Sequence, residues 1–319
     1  MVEGEILVVE DLRKYFKTAQ GVVRAVDGIS FSIKEGETFG LVGESGSGKS
    51  TTAFTIMGVY EPTGGRIFFK GKPLIGGVKK RPLSLKKDMQ MVFQDPGSSL
   101  NPRKSIREII ELPLKVHKLY RGKERKRAEE LLRMVGLPVE FLDRYPRAIG
   151  GGEKQLVAIA RALATEPSFI ALDEPTSALD VSMQAKIINT LLRIQEELNL
   201  SYLFITHNLS LMRNVASRVG IMYLGKLLEV APASEFFHKP LHPYTKMLLS
   251  SVPVITEEEE KLKPKKIVSR GEIPSPVNVP PGCTFHPRCP ECMEVCSKKE
   301  PVMIEIEPGH TVKCHLFNS

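Results

Sequence analysis

The sequence predicts an α/β fold with a parallel core sheet, and two features of its hydrophobic pattern carry the prediction. Short apolar runs without internal charges are typical of strands that are buried on both faces of a parallel sheet. Segments with a 3.6-residue apolar period, typical of helices, alternate with these runs along most of the chain. Alternating strands and helices favour helical layers packed on a parallel sheet.

The predicted elements follow one another in a simple order. Strands are expected at residues 6–12, 24–33, 38–42, 66–70, 88–93, 168–172 and 202–206. Helices are expected at residues 49–60, 106–118, 124–135, 153–165, 182–198 and 209–215. After residue 97 the strand pattern is lost and helical periodicity replaces it, which predicts a helical insert over about residues 97–160.

The chain is longer than one hydrophobic core usually supports. Its 319 residues predict a large domain over residues 1–250 and a smaller extension over residues 251–319. The charge run EEEEKLKPKK, residues 257–266, is expected to be a solvated linker. No apolar run approaches the roughly 18 residues of a membrane-spanning helix. The acidic N-terminus lacks the pattern of a secretory signal.

Composition argues against nucleic-acid binding. A hydrophobic content of 42% and a charged content of 26% are those of an ordinary globular protein. The net charge of +8 is spread along the chain, and its densest cluster, residues 121–127, precedes an amphipathic helix as its solvated side. We therefore expect no nucleic-acid partner.

The motif GESGSGKS, residues 43–50, joins a predicted strand to a predicted helix and fits the phosphate-binding loop pattern. Glycines let its backbone N–H groups point at phosphate oxygens, and the helix adds its positive end. Lys49 supplies a positive charge, and the Ser50 hydroxyl is a ligand for Mg²⁺. The sequence therefore predicts that ATP and Mg²⁺ bind the loop residues Gly43, Ser45, Gly46, Gly48, Lys49, Ser50 and Thr51.

Two carboxylates end the apolar strand FIALDE, residues 169–174. An aspartate at the carboxyl end of a strand beside a phosphate loop is placed to hold Mg²⁺, which assigns that role to Asp173. The adjacent Glu174 can polarise the attacking water as a general base. The pair predicts ATP hydrolysis in addition to ATP binding.

Further motifs carry a family resemblance over roughly residues 5–250. They are MVFQDP around Gln94, IGGGE over residues 149–153, SALD over residues 177–180, and the pair Thr206–His207. Their order and spacing resemble those of ABC transporter nucleotide-binding subunits. The resemblance implies a P-loop ABC ATPase fold with an antiparallel β subdomain and a helical subdomain beside the core sheet. It also implies two cassettes arranged head to tail, with each ATP between one phosphate loop and the partner's signature segment.

The same resemblance assigns roles to four residues. Gln94 would sense Mg²⁺ and the attacking water and would couple the site to the membrane subunits. His207 would contact the γ-phosphate as a catalytic residue, and Asp180 would face the partner cassette. Tyr15, in LRKYF, occupies the position at which the family stacks an aromatic ring on adenine.

The signature segment departs from the family's Leu-Ser-Gly-Gly-Gln pattern. Gly150 stands at the serine position, followed by Gly151 and Gly152, and Glu153 stands at the glutamine position. Backbone amides and the helix dipole remain available to a γ-phosphate. The missing hydroxyl removes a hydrogen bond to a charged group, worth about 1.5–3 kcal/mol. We expect the partner's ATP site to be weakened, which would make a heterodimer asymmetric.

Two C-terminal strings indicate the branch of the family. LHPYTKMLL, residues 241–249, and GCTFHPRCP, residues 282–290, resemble the oligopeptide/dipeptide importers. AVDGISF and MYLGKLLEV are closer to the second, F-type, ATPase subunit of that branch. The resemblance implies a different ATPase subunit, two membrane permeases and an extracytoplasmic solute-binding protein as partners, and a peripheral location at the cytoplasmic face of the membrane. Oligosaccharide or nickel solutes occur among relatives. The alternative is a soluble ABC-type ATPase acting in assembly or in a redox-linked process.

All five cysteines lie between residues 283 and 314. Four of them, separated by five, six and seventeen residues, suit either a [4Fe–4S] cluster or Zn²⁺. The family resemblance implies a [4Fe–4S] cluster held by Cys283, Cys289, Cys296 and Cys314, with Cys292 left over. The nearby histidines at 286, 310 and 315 are expected at the surface rather than as ligands.

Overall fold

The structure, a computed structural model, describes residues 4–177, 179–251 and 271–317. Its strands are β1 Glu5–Thr18, β2 Gly21–Lys34, β3 Thr38–Val42, β4 Gly64–Phe69, β5 Lys72–Pro73, β6 Met89–Val92, β7 Phe169–Asp173, β8 Ser201–Thr206, β9 Arg218–Tyr223, β10 Lys226–Pro232, β11 Ile304–Glu307 and β12 His310–Val312. Its α-helices are α1 Lys49–Ile56, α2 Leu83–Asp88, α3 Pro96–Ser99, α4 Ile106–Val116, α5 Glu124–Met134, α6 Gly151–Leu163, α7 Val181–Leu198, α8 Leu209–Val215, α9 Ala233–His238 and α10 Pro243–Ser250.

Two compact units make up the fold. The first comprises the residues up to Ile6, Ile33–Glu37 and Ile75–Ile205. The second comprises Leu7–Ser32, Thr38–Leu74 and the described residues from Thr206 onward. The phosphate-binding loop therefore belongs to the second unit, and the carboxylates Asp173 and Glu174 belong to the first.

Parallel strands form the centre of the first unit, as the apolar runs predict. β6 pairs with β7, and β7 pairs with β8, both in parallel register. All five residues of β7 are buried, which explains why its first four are apolar without interruption. The register brings Asp173 opposite Ile205, at the carboxyl end of both strands.

Helices α3 to α6 occupy the region in which the sequence predicts a helical insert. A reciprocal capping box starts α4: Ser105 Oγ accepts from Glu108 N–H at 3.3 Å, and the Glu108 carboxylate accepts from Ser105 N–H at 2.8 Å. The apolar face of α4 is buried, and so are Leu131 and Leu132 of α5. The boundaries of the insert and of the two predicted domains stay predictions.

The second unit contains both parallel and antiparallel strand pairs, whereas the apolar pattern predicts a parallel core sheet. β3 and β9 are parallel, but β9 and β10 form an antiparallel hairpin around Leu224 and Gly225. Both turn residues have positive φ, 43° and 78°, as a tight two-residue hairpin requires. β12 pairs antiparallel with β10, and β11 pairs antiparallel with β12, so two strands from the cysteine-rich extension continue this sheet to its edge.

An antiparallel sheet in the order β2-β1-β4-β5 corresponds to the β subdomain implied by the resemblance. β1 and β4 run antiparallel with Leu7 opposite Phe69 and Val9 opposite Ile67. These four apolar side chains are almost fully buried, so one face of the sheet contributes to the core.

Several helix boundaries differ from the sequence prediction, and two of the differences have a clear cause. α1 ends at Ile56 rather than near Tyr60, because Gly58 adopts a left-handed φ of 79° that terminates the helix. α6 begins at Gly151, two residues earlier than predicted, because Gly150 is its extended N-cap residue. The predicted linker 257–266 lies outside the described residues. Within the described ranges, no helix combines the length and apolarity needed to cross a membrane.

Candidate nucleotide-binding and hydrolysis site

The phosphate-binding loop connects β3 directly to α1. Its lysine is 5% exposed, and Lys49 Nζ donates to the carbonyl oxygens of Gly43 at 2.8 Å and Glu44 at 2.9 Å. No side chain caps the N-terminus of α1, whose N-cap residue is Gly48. The first-turn N–H groups of such a helix are suited to an anion. The loop thus has the cation and the backbone donors that phosphate binding requires.

Close packing explains two of the loop glycines. A Cβ on Gly43 would lie 2.1 Å from the carbonyl oxygen of Met222, and one on Gly48 would lie 2.0 Å from that of Ala25. Gly48 also has a φ of 106°. Neighbouring backbone therefore excludes any side chain at these positions. The remaining predicted loop residues are exposed (Ser45 and Gly46) or half-buried in the first turn of α1 (Ser50 and Thr51).

Tyr15, the predicted adenine platform, lies on β1 and is half-buried. Its hydroxyl donates to Asp27, and burial together with this hydrogen bond raises the pKa of Tyr15 to about 12. Burial alone would raise the pKa of Asp27, but hydrogen bonds from Tyr15 and from Lys226, at 2.9 Å, lower it overall. These contacts fix the phenol end of the ring.

In the first unit the structure brings together two predicted catalytic residues. Gln94 Nε2, beyond the end of β6, donates to Glu174 Oε2 at 3.0 Å. Glu174 has a left-handed φ of 44°, which is strained for a residue with a side chain. Its N–H donates to the carbonyl of Ile205 at 2.9 Å, which holds that backbone. Asp173, at the end of β7, is 2% exposed.

The signature segment forms the N-terminus of α6. The Glu153 carboxylate accepts from Gly150 N–H at 2.7 Å, so the glutamate at the family's glutamine position caps the helix. Gly151 is exposed, whereas a Cβ on Gly152 would lie 2.1 Å from Met183 Cγ. A Cβ on Gly150 would meet Glu153 Oε2 at an ordinary 3.6 Å. The structure therefore has room for the β-carbon of a serine at position 150.

The two remaining predicted residues are exposed at helix starts. Asp180 is the N-cap residue of α7 and accepts from Met183 N–H at 3.0 Å. Hydrogen bonds from Ser182 and Met183 lower the pKa of Asp180. His207 follows β8, and the next residue, Asn208, caps α8.

The cysteine-rich segment packs within the second unit. All five cysteines are free thiols, and Cys283, Cys296 and Cys314 are buried. Burial, reinforced by neighbouring cysteines, raises the pKa of Cys283 to about 11 and that of Cys289 to about 12. Across the described part of the chain, no group of three or more His, Cys, Asp and Glu residues is arranged to hold a metal ion.

A buried network joins this segment to strand β10. Glu229, which is fully buried, accepts from His310 Nε2 at 2.8 Å and from the backbone N–H of His242 at 2.8 Å. Burial lowers the pKa of His242 to about 4. His310 is 1% exposed and contacts a carboxylate, so the prediction that it lies at the surface is wrong. Sequence alone did not reveal that partner, because Glu229 is 81 residues away.

Sequence reasoning also missed two residues that contact the phosphate loop. Arg288 and Tyr244, both buried, bond to Glu44, the second residue of the loop. The one available signal was an acidic residue inside an anion-binding loop, which requires a compensating cation. Sequence does not identify that cation, because Arg288 is 244 residues further along the chain.

Comparisons with known proteins match both halves of the chain. Residues 26–177 match the family "ABC transporter", and residues 228–296 match "Oligopeptide/dipeptide transporter, C-terminal region". The chain is 49% identical to the oligopeptide transport ATP-binding protein AppF of Bacillus subtilis over 98% of both chains. A solved structure of cbiO1 from Clostridium perfringens, part of the ABC transporter complex cbiONQ, superposes with a TM-score of 0.66 and 31% identity, covering 74% of this chain and 92% of cbiO1.

A second solved structure, of the dimeric ATP-binding cassette MJ0796 bound to ADP and Pi, superposes with a TM-score of 0.63. It is 31% identical and covers 71% of this chain and 98% of that cassette. Motifs, fold and relatives agree, and the predicted P-loop ABC ATPase fold is confirmed. The chain is a member of the ABC transporter ATP-binding proteins, in the branch of the oligopeptide/dipeptide importers.

Proposed function

We propose that this chain hydrolyses ATP as one of two cassettes that energise the import of peptides. The observation that carries the proposal is the match of residues 228–296 to the C-terminal region of oligopeptide/dipeptide transporters, on a chain that also has the ABC ATPase fold. A relative named as an oligopeptide transport ATP-binding protein supports peptides as the solute. The alternative, a soluble ABC-type ATPase that acts in assembly or in a redox-linked process, is not favoured because nothing in these matches points to it.

The chain's own residues supply the chemistry of hydrolysis. Lys49 and the loop amides hold the phosphates of ATP, and the Ser50 hydroxyl and Asp173 carboxylate hold its Mg²⁺. Glu174 accepts a proton from the attacking water. Gln94 donates to Glu174 and orients its carboxylate. Gln94 also senses the bound Mg²⁺.

Further roles rest on the family resemblance. His207 contacts the γ-phosphate, Tyr15 stacks on adenine, and Asp180 faces the second cassette. The backbone N–H groups at the start of α6, over residues 150–152, serve the ATP of that partner cassette. The dimeric state of MJ0796 supports a two-cassette assembly.

Restoring serine at position 150 is expected to strengthen the partner's ATP site and to leave this chain's own phosphate loop unaffected. In Gly150→Ser the new hydroxyl adds a hydrogen bond to a charged group, worth about 1.5–3 kcal/mol, which corresponds to about tenfold or more in hydrolysis at that site. Hydrolysis would be measured in the assembled complex with the phosphate-loop lysine of each ATPase subunit mutated in turn. Gly150→Ala is the matched control, because it adds Cβ without the hydroxyl. Equal rates for the serine and alanine variants at the partner's site would refute the asymmetry.

The partners follow from the importer assignment. We propose a different, second ATPase subunit, two membrane permeases and an extracytoplasmic solute-binding protein, with this chain peripheral at the cytoplasmic face of the membrane. Affinity purification of the chain from gently solubilised membranes tests the set. Recovery of two permeases and a second ATPase supports it, and their reproducible absence under conditions that retain MgATP argues against it.

We further propose that Cys283, Cys289, Cys296 and Cys314 hold a [4Fe–4S] cluster. The proposal rests on the family resemblance and on the chemistry of the donors, since all four are free thiols of one segment. Binding requires these thiols to rearrange, because no group of described His, Cys, Asp and Glu residues is arranged to hold a metal ion. A bound cluster would supply iron–thiolate bonds that cross-link the segment. Zn²⁺ is the alternative metal for the same four cysteine ligands.

Anaerobic purification is expected to yield a brown protein with about four iron atoms per chain. Absorbance in the thiolate-to-iron region and iron analysis would measure it. Cys283→Ser should abolish the iron, whereas Cys292→Ser, at the exposed extra cysteine, should leave it in place. A colourless protein with stoichiometric zinc would identify the site as a zinc site instead.

A further inference from the structure

A buried arginine of the cysteine-rich segment reaches the phosphate-binding loop. Arg288 donates from Nη1 and Nη2 to the two carboxylate oxygens of Glu44, at 2.8 and 3.2 Å. The arginine side chain is 6% exposed and the glutamate side chain is 26% exposed. A two-pronged pair of this kind fixes orientation as well as distance. The loop's second residue is therefore held by a side chain from near the end of the chain.

Tyr244 holds the same loop residue by a second route. Its hydroxyl accepts from Glu44 N–H at 3.1 Å and donates to Glu44 Oε2 at 3.2 Å. The ring is fully buried, with its centroid 4.7 Å from that of Tyr223 and 5.2 Å from that of Phe285. The Arg288 guanidinium lies over the Tyr223 and Phe285 rings at 5.7 and 5.9 Å. Because aromatic packing restricts both donors, Glu44 is bound by a rigid cluster.

Glu44, the residue that Arg288 and Tyr244 bind, also contacts the lysine of the loop. Lys49 Nζ donates to the carbonyl oxygen of Glu44 at 2.9 Å. The path from Arg288 to the phosphate-binding cation therefore consists of one ion pair, the backbone of Glu44 and one hydrogen bond. A shift of the Glu44 peptide would move an acceptor that sets the resting position of Lys49.

Charge gives a second reason for the pair. Glu44 brings a negative charge into a loop whose ligand is a triphosphate, and like charges at short range oppose binding. The guanidinium neutralises that carboxylate in a partly buried site, where an uncompensated charge is costly. Arg288 thus offsets the unfavourable charge and also fixes the loop geometry.

We propose that Arg288 is a positioning residue for the phosphate-binding loop, acting through Glu44, so that ATP affinity depends on the chain's own cysteine-rich segment. Arg288 does not touch the nucleotide in this scheme. It orders the loop before ATP arrives, and preorganisation of this kind strengthens binding by lowering its ordering cost.

Affinity for MgATP is the measurement that separates positioning from simple anchoring. In the full-length chain, Arg288→Ala is expected to raise the Kd for MgATP about tenfold, with Arg288→Lys recovering part of the loss. The KM for ATP should rise similarly, while kcat changes less than about twofold, since the reacting groups are untouched. Glu307→Gln is the matched control: it removes an ion pair of the same extension, with Lys239 at 3.4 Å, and should leave the Kd unchanged.

Glu44→Gln tests the same link without removing the buried arginine, and it decides the matter if Arg288→Ala does not fold. It should also raise the Kd, because the loss of the two-pronged pair outweighs the removal of one negative charge from the loop. The double variant Arg288→Ala, Glu44→Gln should bind MgATP no more weakly than Arg288→Ala alone. An unchanged Kd in Glu44→Gln would overturn the proposal. So would independent, additive losses in the double variant.

Discussion

Glu174→Gln is expected to lower kcat for ATP hydrolysis by at least about 100-fold while MgATP binding is retained. The glutamine keeps an oxygen that can accept from Gln94 Nε2, which lies 3.0 Å from Glu174 Oε2 in the structure. Shape and hydrogen bonding are thereby preserved, and the lost property is the ability to take a proton from water. Nucleotide affinity should persist because the phosphate ligands belong to the loop at residues 43–51.

Steady-state hydrolysis and nucleotide titration of the same preparation measure the two quantities. Glu197→Gln, at an exposed glutamate on α7 that pairs with Arg193, provides the matched control and should hydrolyse ATP normally. Hydrolysis at more than about a tenth of the normal rate in Glu174→Gln would assign the base to another group.

Gly48→Ala is expected to weaken MgATP binding about 100-fold. The added Cβ would lie 2.0 Å from the carbonyl oxygen of Ala25, and the φ of 106° is unfavourable for alanine. The loop must therefore move by about 1 Å, and a misplacement of that size typically costs about 100-fold in function. Nucleotide titration and thermal unfolding would be measured together.

Gly46→Ala separates backbone strain from collision. Gly46 also has a left-handed φ, 78°, but no atom lies within 4 Å of the position that an added methyl group would occupy. The variant should lose about 1–2 kcal/mol of unfolding free energy from the backbone strain alone. If Gly48→Ala is as stable as Gly46→Ala and binds MgATP normally, the close packing of the loop has no functional importance.

Local sequence was sufficient for the parts of the site in which one segment carries the chemistry. The loop at residues 43–50 and the strand ending in Asp173 and Glu174 were recognisable because glycine spacing and terminal carboxylates are consecutive in the chain. The corresponding strands β3 and β7 are present at the predicted positions within a residue. The relatives confirm the ATPase activity predicted from these motifs and the importer family indicated by LHPYTKMLL and GCTFHPRCP.

Long-range pairing accounts for what the sequence did not reveal. β12 has only three residues, and its strand conformation depends on pairing with β10, whose Glu229 lies opposite Val312. The hairpin before β10 turns at Leu224, a residue with a side chain at a φ of 43°, which no turn pattern predicts. The Arg288–Glu44 contact likewise depends on tertiary packing, so only the structure could identify it.

Uptake of a labelled oligopeptide by intact cells tests the central claim most directly. Cells from which this chain has been deleted should fail to accumulate the peptide, and the unmodified chain should restore accumulation. Glu174→Gln, produced at an equal level, should not restore it, because transport requires hydrolysis. Undiminished uptake in the deletion cells, or full restoration by Glu174→Gln, would contradict the assignment of this chain as the ATPase of a peptide importer.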